Sequence, residues 1–439
     1  MSKLHSEFQS RRQQILDFLQ QQDEPAIAII PSAQLATRSR DTEYPFRQDS
    51  DFYYLTGFNE PDALLVLQPD NDQPVQLFCQ PSDPHAEVWH GRRLGVDRAP
   101  EALGVDGAYS IADADEHLFA LLNGMHSVYT PHDKPELTQL LHELAAELRQ
   151  TSKKGDRAPQ AWHDLAPKLA QMRLVKSEAE LELMRRAAAI SVDAHKRAMR
   201  YTRPGVYEYQ VAAELHHEFA LQGAAGPAYG TICGSGENAC ILHYTENSSQ
   251  LQDGDLLLID AGAEFQGYAA DITRTFPVNG RFSEPQKALY ELVLAAQEAA
   301  LATVKPGSNL PAAQEAAART ITQGLLDLGI LAGSFAQHWE QTSYRKFFIH
   351  GLGHWLGLDV HDVGTYDVAG KKQKFAAGMV LTVEPGIYIP PGMPDVDARW
   401  HGIGIRIEDD VIITADGHEN LTAGVPKTVA EIEQWMQQK

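Results

Sequence analysis

The segment DLLLIDAGAEFQGYAADITRTF, residues 255–276, sets two apolar runs on either side of a short polar turn. This pattern predicts a β-hairpin, because the runs are rich in strand-forming residues and a glycine lies between them. Each run carries one aspartate, Asp260 or Asp271, in surroundings where an unpaired charge is costly. The segment therefore predicts a local fold and also a site that needs a partner for its charge.

The length of the turn decides how the two aspartates face each other. A two-residue turn at 265–266 would put Asp260 directly opposite Asp271, whereas a turn at 266–267 would make them diagonal neighbours. Both registers place the two carboxylates on one face, where a cation must offset their repulsion. A three-residue loop would instead shift the register and turn one carboxylate away.

Residues 350–364, HGLGHWLGLDVHDVG, hold three histidines and four glycines. The glycines allow the backbone to approach a ligand closely. His350 and His354 have the spacing of a zinc-protease helix, but the HExxH glutamate is absent and two glycines weaken a helix. We reject that motif and predict that His354 and His361 are ligand or catalytic residues, with His350 in a supporting role.

Two segments near the C-terminus supply further carboxylates. Glu384 follows an apolar run and precedes a Pro-Gly turn. In residues 402–410, GIGIRIEDD, the alternation predicts a strand on which Arg406 and Glu408 share one face. The arginine could orient a substrate carboxylate or meet developing negative charge, and the alternative is a simple Arg–Glu ion pair. The oxygen-rich set with one imidazole suits a pair of divalent ions; its members are Asp260, Asp271, His354, Glu384 and Glu408.

The composition predicts a chain of two domains without nucleic-acid or membrane partners. Its 439 residues exceed one ordinary core, and the apolar and charged fractions, 43% and 22%, are those of a globular protein. No apolar stretch reaches the roughly 18 residues of a membrane helix, and a net charge of −22 argues against nucleic-acid binding. Three cysteines without CxxC spacing predict a reducing cytoplasm.

The N-terminal part alternates short strand-like runs with helical patterns, which predicts an α/β domain. The strand candidates are 26–30, 63–67, 75–79 and 128–130, and the helix candidates are 9–21, 111–122 and 136–149. A polar, proline-containing stretch then precedes a capping box at residues 177–180. We therefore predict an N-terminal domain over residues 1–172 and a C-terminal domain over residues 173–439.

The C-terminal part predicts the order helix–helix–strands twice, which is weak evidence for an internal duplication. The helices are predicted from 177, over 207–222, over 284–304 and over 312–328, and strands over 347–413. Residues 234–239 match a dinucleotide-binding pattern loosely, but the strand-like residues 240–244 follow them instead of a helix. No nucleotide-binding loop or serine-nucleophile elbow is present in the sequence.

These segments together resemble the metal-dependent aminopeptidases of the pita-bread fold, a group that includes methionine aminopeptidase, prolidase and aminopeptidase P. The phrases ILHYTEN, LTVEPGIYI and GIGIRIEDD look most like bacterial aminopeptidase P, and the likeness extends upstream to EVWHGRRLG. The resemblance implies an N-terminal creatinase-like α/β domain and a C-terminal pita-bread α+β domain with pseudo-twofold symmetry. It also implies a homo-oligomer, either a dimer or a tetramer.

The resemblance further implies a site with two divalent metal ions, most often Mn²⁺. Asp271 and Glu408 would bridge the ions, Asp260 would hold one of them, and His354 with Glu384 would hold the other. The family's activity is release of the N-terminal residue from peptides with proline in the second position, by attack of a metal-bridging hydroxide.

The resemblance also assigns roles beyond the metal ligands. Catalytic roles would fall to Glu384, His243, His361, Tyr388 and Arg406. From the residues themselves we add substrate contacts for His350 and, as a residue that lines a slot for the proline ring, for Trp89. A prolidase restricted to Xaa-Pro dipeptides is the alternative, since it would share all five ligands. A metal-free interaction module or a creatinase-type enzyme is disfavoured, because all five ligands are present.

Overall fold

In the computed structural model, the segment 255–276 forms a hairpin with a two-residue turn. Phe265 pairs with Tyr268 across the turn. The turn residues Gln266 and Gly267 have φ angles of 49° and 85°, as a type I′ turn requires at both central positions. The prediction with the turn at 266–267 is therefore confirmed, and the two aspartates are diagonal neighbours.

The two arms of the hairpin approach each other closely beside Asp260 and Asp271. Asp260 pairs with Thr273 at the end of the long strands. Two residues further, a Cβ added at Gly262 would collide with the backbone carbonyl of Ala270. Because only glycine permits this approach, the residue is a local requirement for the relative placement of the two carboxylates.

The chain forms two compact units, Met1–Ala170 and Gln171–Lys439. The structure describes residues 3–438, so residues 1, 2 and 439 of our predicted domains lie outside the described part. The predicted division between 172 and 173 stays a prediction. Among the described residues, none of the helices has the length and apolar character needed to cross a membrane.

The first unit contains a mixed sheet with helices. Its strands are β1 (Ala26–Pro31), β2 (Thr37–Ser39), β3 (Thr42–Glu43), β4 (Leu64–Leu67), β5 (Val75–Cys79), β6 (Gly107–Ser110), β7 (Ser127–Thr130) and β8 (Ala161–Asp164). The helices along this part of the chain are α1 (Lys3–Gln20), α2 (Ser50–Thr56), α3 (Pro84–His90), α4 (Ala99–Leu103), α5 (Ala114–Leu122), α6 (Pro135–Gln150) and α7 (Ala166–Leu174). Six strands form one sheet in the order β6-β5-β4-β1-β7-β8. The four predicted strands are confirmed, whereas β6 and β8 were not predicted because they are short and only partly buried.

The second unit contains two helix pairs, each followed by strands. Its helices are α8 (Glu178–Tyr201), α9 (Glu208–Leu221), α10 (Glu284–Leu301), α11 (Leu310–Asp327), α12 (Phe335–Glu340) and α13 (Val429–Gln437). Its strands are β9 (Gly226–Pro227), β10 (Ile232–Ser235), β11 (Leu256–Asp260), β12 (Ala263–Phe265), β13 (Tyr268–Ala269), β14 (Thr273–Pro277), β15 (Asp367–Val368), β16 (Lys371–Lys372), β17 (Val380–Val383), β18 (Gly386–Ile389), β19 (Ile403–Arg406), β20 (Asp409–Ile413) and β21 (His418–Asn420). Helix α8 packs against α9 and α10 against α11, so the predicted helix–helix–strands order is present twice.

Three antiparallel groups of strands carry the residues of interest. The sheets β10-β11-β14 and β17-β20-β21 have three strands each, and β18 pairs with β19. Their inward faces join one apolar core with the helix pairs. The capping box that we predicted at the start of α8 is present, with Ser177 and Glu180 exchanging hydrogen bonds. Burial of apolar residues of α8 against α9 and the strands β12 and β13 stabilises this helix, because tertiary packing supplies most of a helix's stability.

Three predictions of local structure were wrong. Residues 240–244 are not a strand, since a 3₁₀ helix over Gly236–Cys240 leads into a turn. Residues 348–379 hold only the two short strands β15 and β16, because their glycines and tertiary contacts favour irregular backbone. The strand predicted over 402–410 is broken between β19 and β20, which pair with different partners, β18 and β17.

The close approach at Gly262 generates a stability prediction. The substitution Gly262→Ala should destabilise the second unit by about 1–3 kcal/mol, because the new methyl group must displace the backbone of Ala270. Thermal unfolding should show a Tm lower by roughly 2–4 °C for each kcal/mol. The matched control is Gly226→Ala in the neighbouring strand β9, where a Cβ meets nothing within 4 Å. Equal Tm values for the two variants would contradict the prediction.

Candidate metal centre

A cavity of about 450 Å³ in the second unit brings together most of the predicted site residues. The predicted residues that line it are His243, Asp260, Asp271, His350, His354, His361, Glu384, Arg406 and Glu408. Tyr388 is buried behind them and contacts both His350 and Arg406 through its hydroxyl. Trp89 belongs to the first unit, where its side chain is 77% exposed, and its substrate role stays a prediction.

The ends of strands deliver the carboxylates to this cavity. Asp260 is the last residue of β11, and Asp271 lies two residues before β14. Val383 pairs with Asp409 at the end of β17 and β20. Glu384 and Glu408 therefore leave these strands at the same end, directly beyond the last pair. The pair β11–β14 and the pair β17–β20 therefore each contribute two carboxylates to the same cavity.

His354 faces these carboxylates through its Nε2 atom. That atom lies 3.5 Å from Asp271 Oδ2 and 3.5 Å from Glu384 Oε1. The Nδ1–H donates to the carbonyl oxygen of Trp355 at 2.9 Å, which leaves the lone pair of Nε2 free to bind a cation. Ligand atoms of Asp271, His354 and Glu408 all lie within 4.8 Å of one another.

The carboxylates are difficult to ionise together with only the protein's own charges present. Burial raises the pKa of Asp271 well above its usual range, and the nearby Asp260 raises it further. Burial likewise raises the pKa of Glu408, with repulsion from Asp271 next in importance. For Glu384, burial and then the charge of Glu408 raise the pKa. Bound dications would remove this penalty, so the donor set fits a metal pair.

Arg406 partly offsets the negative charge. Its Nη2 atom donates to Asp260 Oδ2 at 2.5 Å, and its Nε donates to the hydroxyl of Thr273 at 3.1 Å. That hydroxyl donates to Glu408 Oε2 at 2.6 Å. The direct ion pair of Arg406 is thus with Asp260, and the simple Arg406–Glu408 pair that we weighed from the sequence is not what the structure shows.

A directed hydrogen-bond chain connects Arg406 to His350. Arg406 Nη1 donates to the Tyr388 hydroxyl at 2.9 Å, and that hydroxyl donates to His350 Nε2 at 2.8 Å. His350 Nδ1–H donates to the Gly351 carbonyl oxygen at 2.8 Å. Burial and the nearby guanidinium lower the pKa of His350 to about 4, so the ring is neutral at pH 7.

The other two histidines, His243 and His361, also line the cavity. The ring of His361 lies 4.2 Å from that of His354, between centroids. Burial, followed by the neighbouring His354 and His243, lowers the pKa of His361. A neutral imidazole can donate an N–H hydrogen bond without adding a full positive charge.

The sequence did not reveal three further residues of this centre. The Tyr229 hydroxyl lies 2.6 Å from Asp260 Oδ1 and 2.5 Å from Asp271 Oδ1. Thr273 links Arg406 to Glu408, as described above. The buried Asp410 accepts the backbone N–H of Asp271 at 2.9 Å. Tyr229 and Thr273 are neutral residues without a motif, although the hairpin register places Thr273 opposite Asp260 and could have indicated it.

Family models match both parts of the chain. The model for metallopeptidase family M24 matches residues 182–415, and the model for the aminopeptidase P N-terminal domain matches residues 8–129. The first range contains all five predicted metal ligands. The match therefore covers the centre itself and also the strands that position it.

Characterised relatives are similar over almost the whole length. An Xaa-Pro aminopeptidase of Escherichia coli (strain K12) is 48% identical over 433 residues, which cover 98% of this chain and 97% of the relative. The structure of aminopeptidase PepP from Pseudomonas aeruginosa has a TM-score of 0.96 at 47% identity and covers 99% of this chain and 98% of that one. A zinc-substituted E. coli aminopeptidase P in complex with product has a TM-score of 0.95 at 47% identity, with coverages of 99% and 98%.

The raised pKa values of the site carboxylates predict how metal binding depends on pH. A carboxyl group whose folded pKa is raised favours the folded state below its unfolded pKa of about 4. It loses that contribution as the pH rises through the folded pKa. Metal-free protein should therefore lose stability as the pH rises, and bound cations should restore it. Adding Mn²⁺ to chelated protein should raise the Tm more at pH 8 than at pH 6.

The control for this thermal experiment is Glu408→Gln, which removes one charged ligand and should reduce the effect of Mn²⁺ at both pH values. An Mn²⁺-induced rise in Tm that is equal at pH 6 and pH 8, or absent in the unsubstituted protein, would contradict the prediction.

Proposed function

The chain belongs to metallopeptidase family M24, and from this premise we propose that it is a metal-dependent Xaa-Pro aminopeptidase. It releases the first residue of peptides that have proline in the second position. The observation that carries the proposal is the single cavity in which strand ends gather four carboxylates around His354. The fold class, a mixed α/β N-terminal domain followed by a pita-bread domain, is that of the matched families.

The residues that would hold two divalent ions are Asp260, Asp271, His354, Glu384 and Glu408. The short distances among Asp271, His354 and Glu408 support a shared role for Asp271 and Glu408. When bound, such ions supply a nucleophilic hydroxide near neutral pH and polarise the scissile carbonyl group. We propose Mn²⁺ as the metal on the basis of the family resemblance, since the ligand set alone suits Co²⁺ and Zn²⁺ as well.

Glu384 is the residue that we assign to proton transfer from the attacking water. Its carboxylate lines the cavity, and burial followed by the charge of Glu408 raises its pKa well above the usual range, which makes it a stronger proton acceptor. Thr382 donates a hydrogen bond of 3.2 Å to Glu384 Oε1 and fixes that oxygen. The other oxygen lies 3.7 Å from His350 Nδ1.

We assign the histidines and Arg406 to binding and orienting the substrate. A neutral His361 would donate its N–H to the oxygen on which negative charge develops. His243 would lie beside the scissile bond and help the proline nitrogen to leave. The chain Arg406–Tyr388–His350 holds His350 in one tautomer, which fixes its orientation toward the substrate. Asp260 would bind the free α-amine, which limits cleavage to the first residue.

The apolar side of the cavity suits a proline ring. Ile232, Leu242 and Val360 line the cavity together with the charged residues. Because proline has no N–H to donate in a peptide, recognition must rely on the shape of an apolar surface. The family resemblance supports a dimer or tetramer, and the cysteine content supports the cytoplasm. Both proposals, and the substrate contact of Trp89, stay predictions.

Peptide length separates this function from the prolidase alternative. We expect hydrolysis of Ala-Pro-Ala to release alanine, because an aminopeptidase accommodates residues after proline. Ala-Ala-Ala is the control for proline specificity and should be a much poorer substrate. Turnover should disappear with a chelator and return with Mn²⁺, as followed by chromatography of the products. Hydrolysis of Ala-Pro without any hydrolysis of Ala-Pro-Ala would show a prolidase instead.

A further inference from the structure

The carboxylate of Glu208, the first residue of α9, is fully buried and accepts five hydrogen bonds. Oε1 accepts the Ser235 N–H at 2.8 Å, the Ser235 hydroxyl at 2.7 Å and the Asn238 amide at 3.1 Å. Oε2 accepts the Tyr244 hydroxyl at 2.8 Å and the Ser249 N–H at 2.8 Å. All five donors lie within residues 235–249.

This segment connects β10 to β11 and forms part of the cavity wall. Leu242, His243 and Thr245 from it line the cavity. His243 is exposed, whereas its neighbour Tyr244 is buried and donates a hydrogen bond from its hydroxyl group to the carboxylate of Glu208. The segment contains one 3₁₀ turn and, from residue 241 to residue 249, no strand. Its conformation therefore depends on side-chain anchors more than on a regular backbone ladder.

The chemistry of this anchor requires a carboxylate. An ionised carboxylate only accepts hydrogen bonds, and it can accept several at each oxygen. A glutamine of the same shape would replace one oxygen with an NH₂ group, which would face donors. A backbone N–H cannot reverse its role, so whichever of the Ser235 and Ser249 N–H groups faces the NH₂ would lose its partner.

We propose that Glu208 is a positioning residue, which holds residues 235–249 so that His243 and Leu242 face the substrate. It does not line the cavity, and it acts through His243. The proposal deepens the proposed function, since it rests on the role assigned to His243. A second anchor lies in the same segment, where Asn247 bonds to the backbone of Cys233 and Thr231, so Glu208→Gln should loosen the segment without unfolding the unit.

The test begins with a readout that is independent of activity. In Glu208→Gln, hydrogen–deuterium exchange of the amides in residues 235–249 should become faster, because the N–H of either Ser235 or Ser249 loses its acceptor. Exchange over residues 256–277, which carry two of the metal ligands, should not change, and neither should the metal content. Unchanged exchange in residues 235–249 would overturn the proposal. Inactive wild-type protein would instead refute the proposed function and leave this readout valid.

A double-mutant cycle then tests whether the effect passes through His243. In the otherwise unchanged enzyme, Glu208→Gln should lower kcat/KM for Ala-Pro-Ala by about 10–100-fold, the cost of a small misplacement. In a His243→Ala background, the same substitution should lower kcat/KM by less than about twofold, because its target is already absent. Equal losses in the two backgrounds would show a merely structural role.

Two further variants complete the design. Glu180→Gln is the matched control, since Glu180 is also a buried carboxylate near a helix start, bonded to Tyr268 and Ser177. Its effect on kcat/KM should be the same with and without His243. Tyr244→Phe removes one of the five donors to Glu208 and should change exchange and kcat/KM in the same direction by a smaller factor. If Glu208→Gln does not fold, Tyr244→Phe becomes the test of the positioning role of Glu208. An unchanged kcat/KM in Tyr244→Phe would then overturn the proposal.

Discussion

The mutual repulsion of four carboxylates, of which Asp271 and Glu408 are buried and Asp260 and Glu384 are partly buried, is the constraint on which the second unit depends. Asp260, Asp271, Glu384 and Glu408 come from the ends of different strands, and a single guanidinium, that of Arg406, lies among the described residues lining their cavity. Burial and this repulsion raise the pKa of three of them well above the usual range. A fold that maintains such an arrangement must gain a compensating interaction, and divalent cations provide it through the same oxygen atoms that repel one another.

Ion pairs of buried aspartates lie next to two of the site residues, Glu408 and His361, in sequence. Asp409, next to Glu408, bonds to Arg274 at 2.6 Å and to Lys427 at 2.7 Å. Burial alone would raise the pKa of Asp409, but these two cations hold it well below the usual range. Asp362, next to His361, likewise forms ion pairs with Arg173 and Lys176. Because breaking such a pair leaves an uncompensated buried charge, these contacts fix the backbone on which the functional side chains are mounted.

The sequence was most informative where one signal had one physical cause. A charge inside an apolar run is costly, so Asp260, Glu384 and Glu408 could be identified without a structure. The type I′ turn at 266–267 and the capping box at Ser177 also depend on local chemistry. By contrast, Tyr229 is a neutral residue whose role exists only once the hairpin has folded. The conformation of residues 240–244 was predicted wrongly because it also depends on a contact that forms only on folding. The Tyr244 hydroxyl donates to the carboxylate of Glu208, which is 36 positions away in the sequence.

The measurement that tests the account most directly is the number of divalent ions bound per chain, by elemental mass spectrometry after equilibration with Mn²⁺ and removal of free metal. A site for two ions predicts two bound ions in the unsubstituted protein and fewer than two in Glu408→Gln. It predicts two in the control Asp255→Asn, whose carboxylate lies one strand length from Asp260 and does not line the cavity. Absence of bound metal in the unsubstituted protein, or two ions retained by Glu408→Gln, would contradict it.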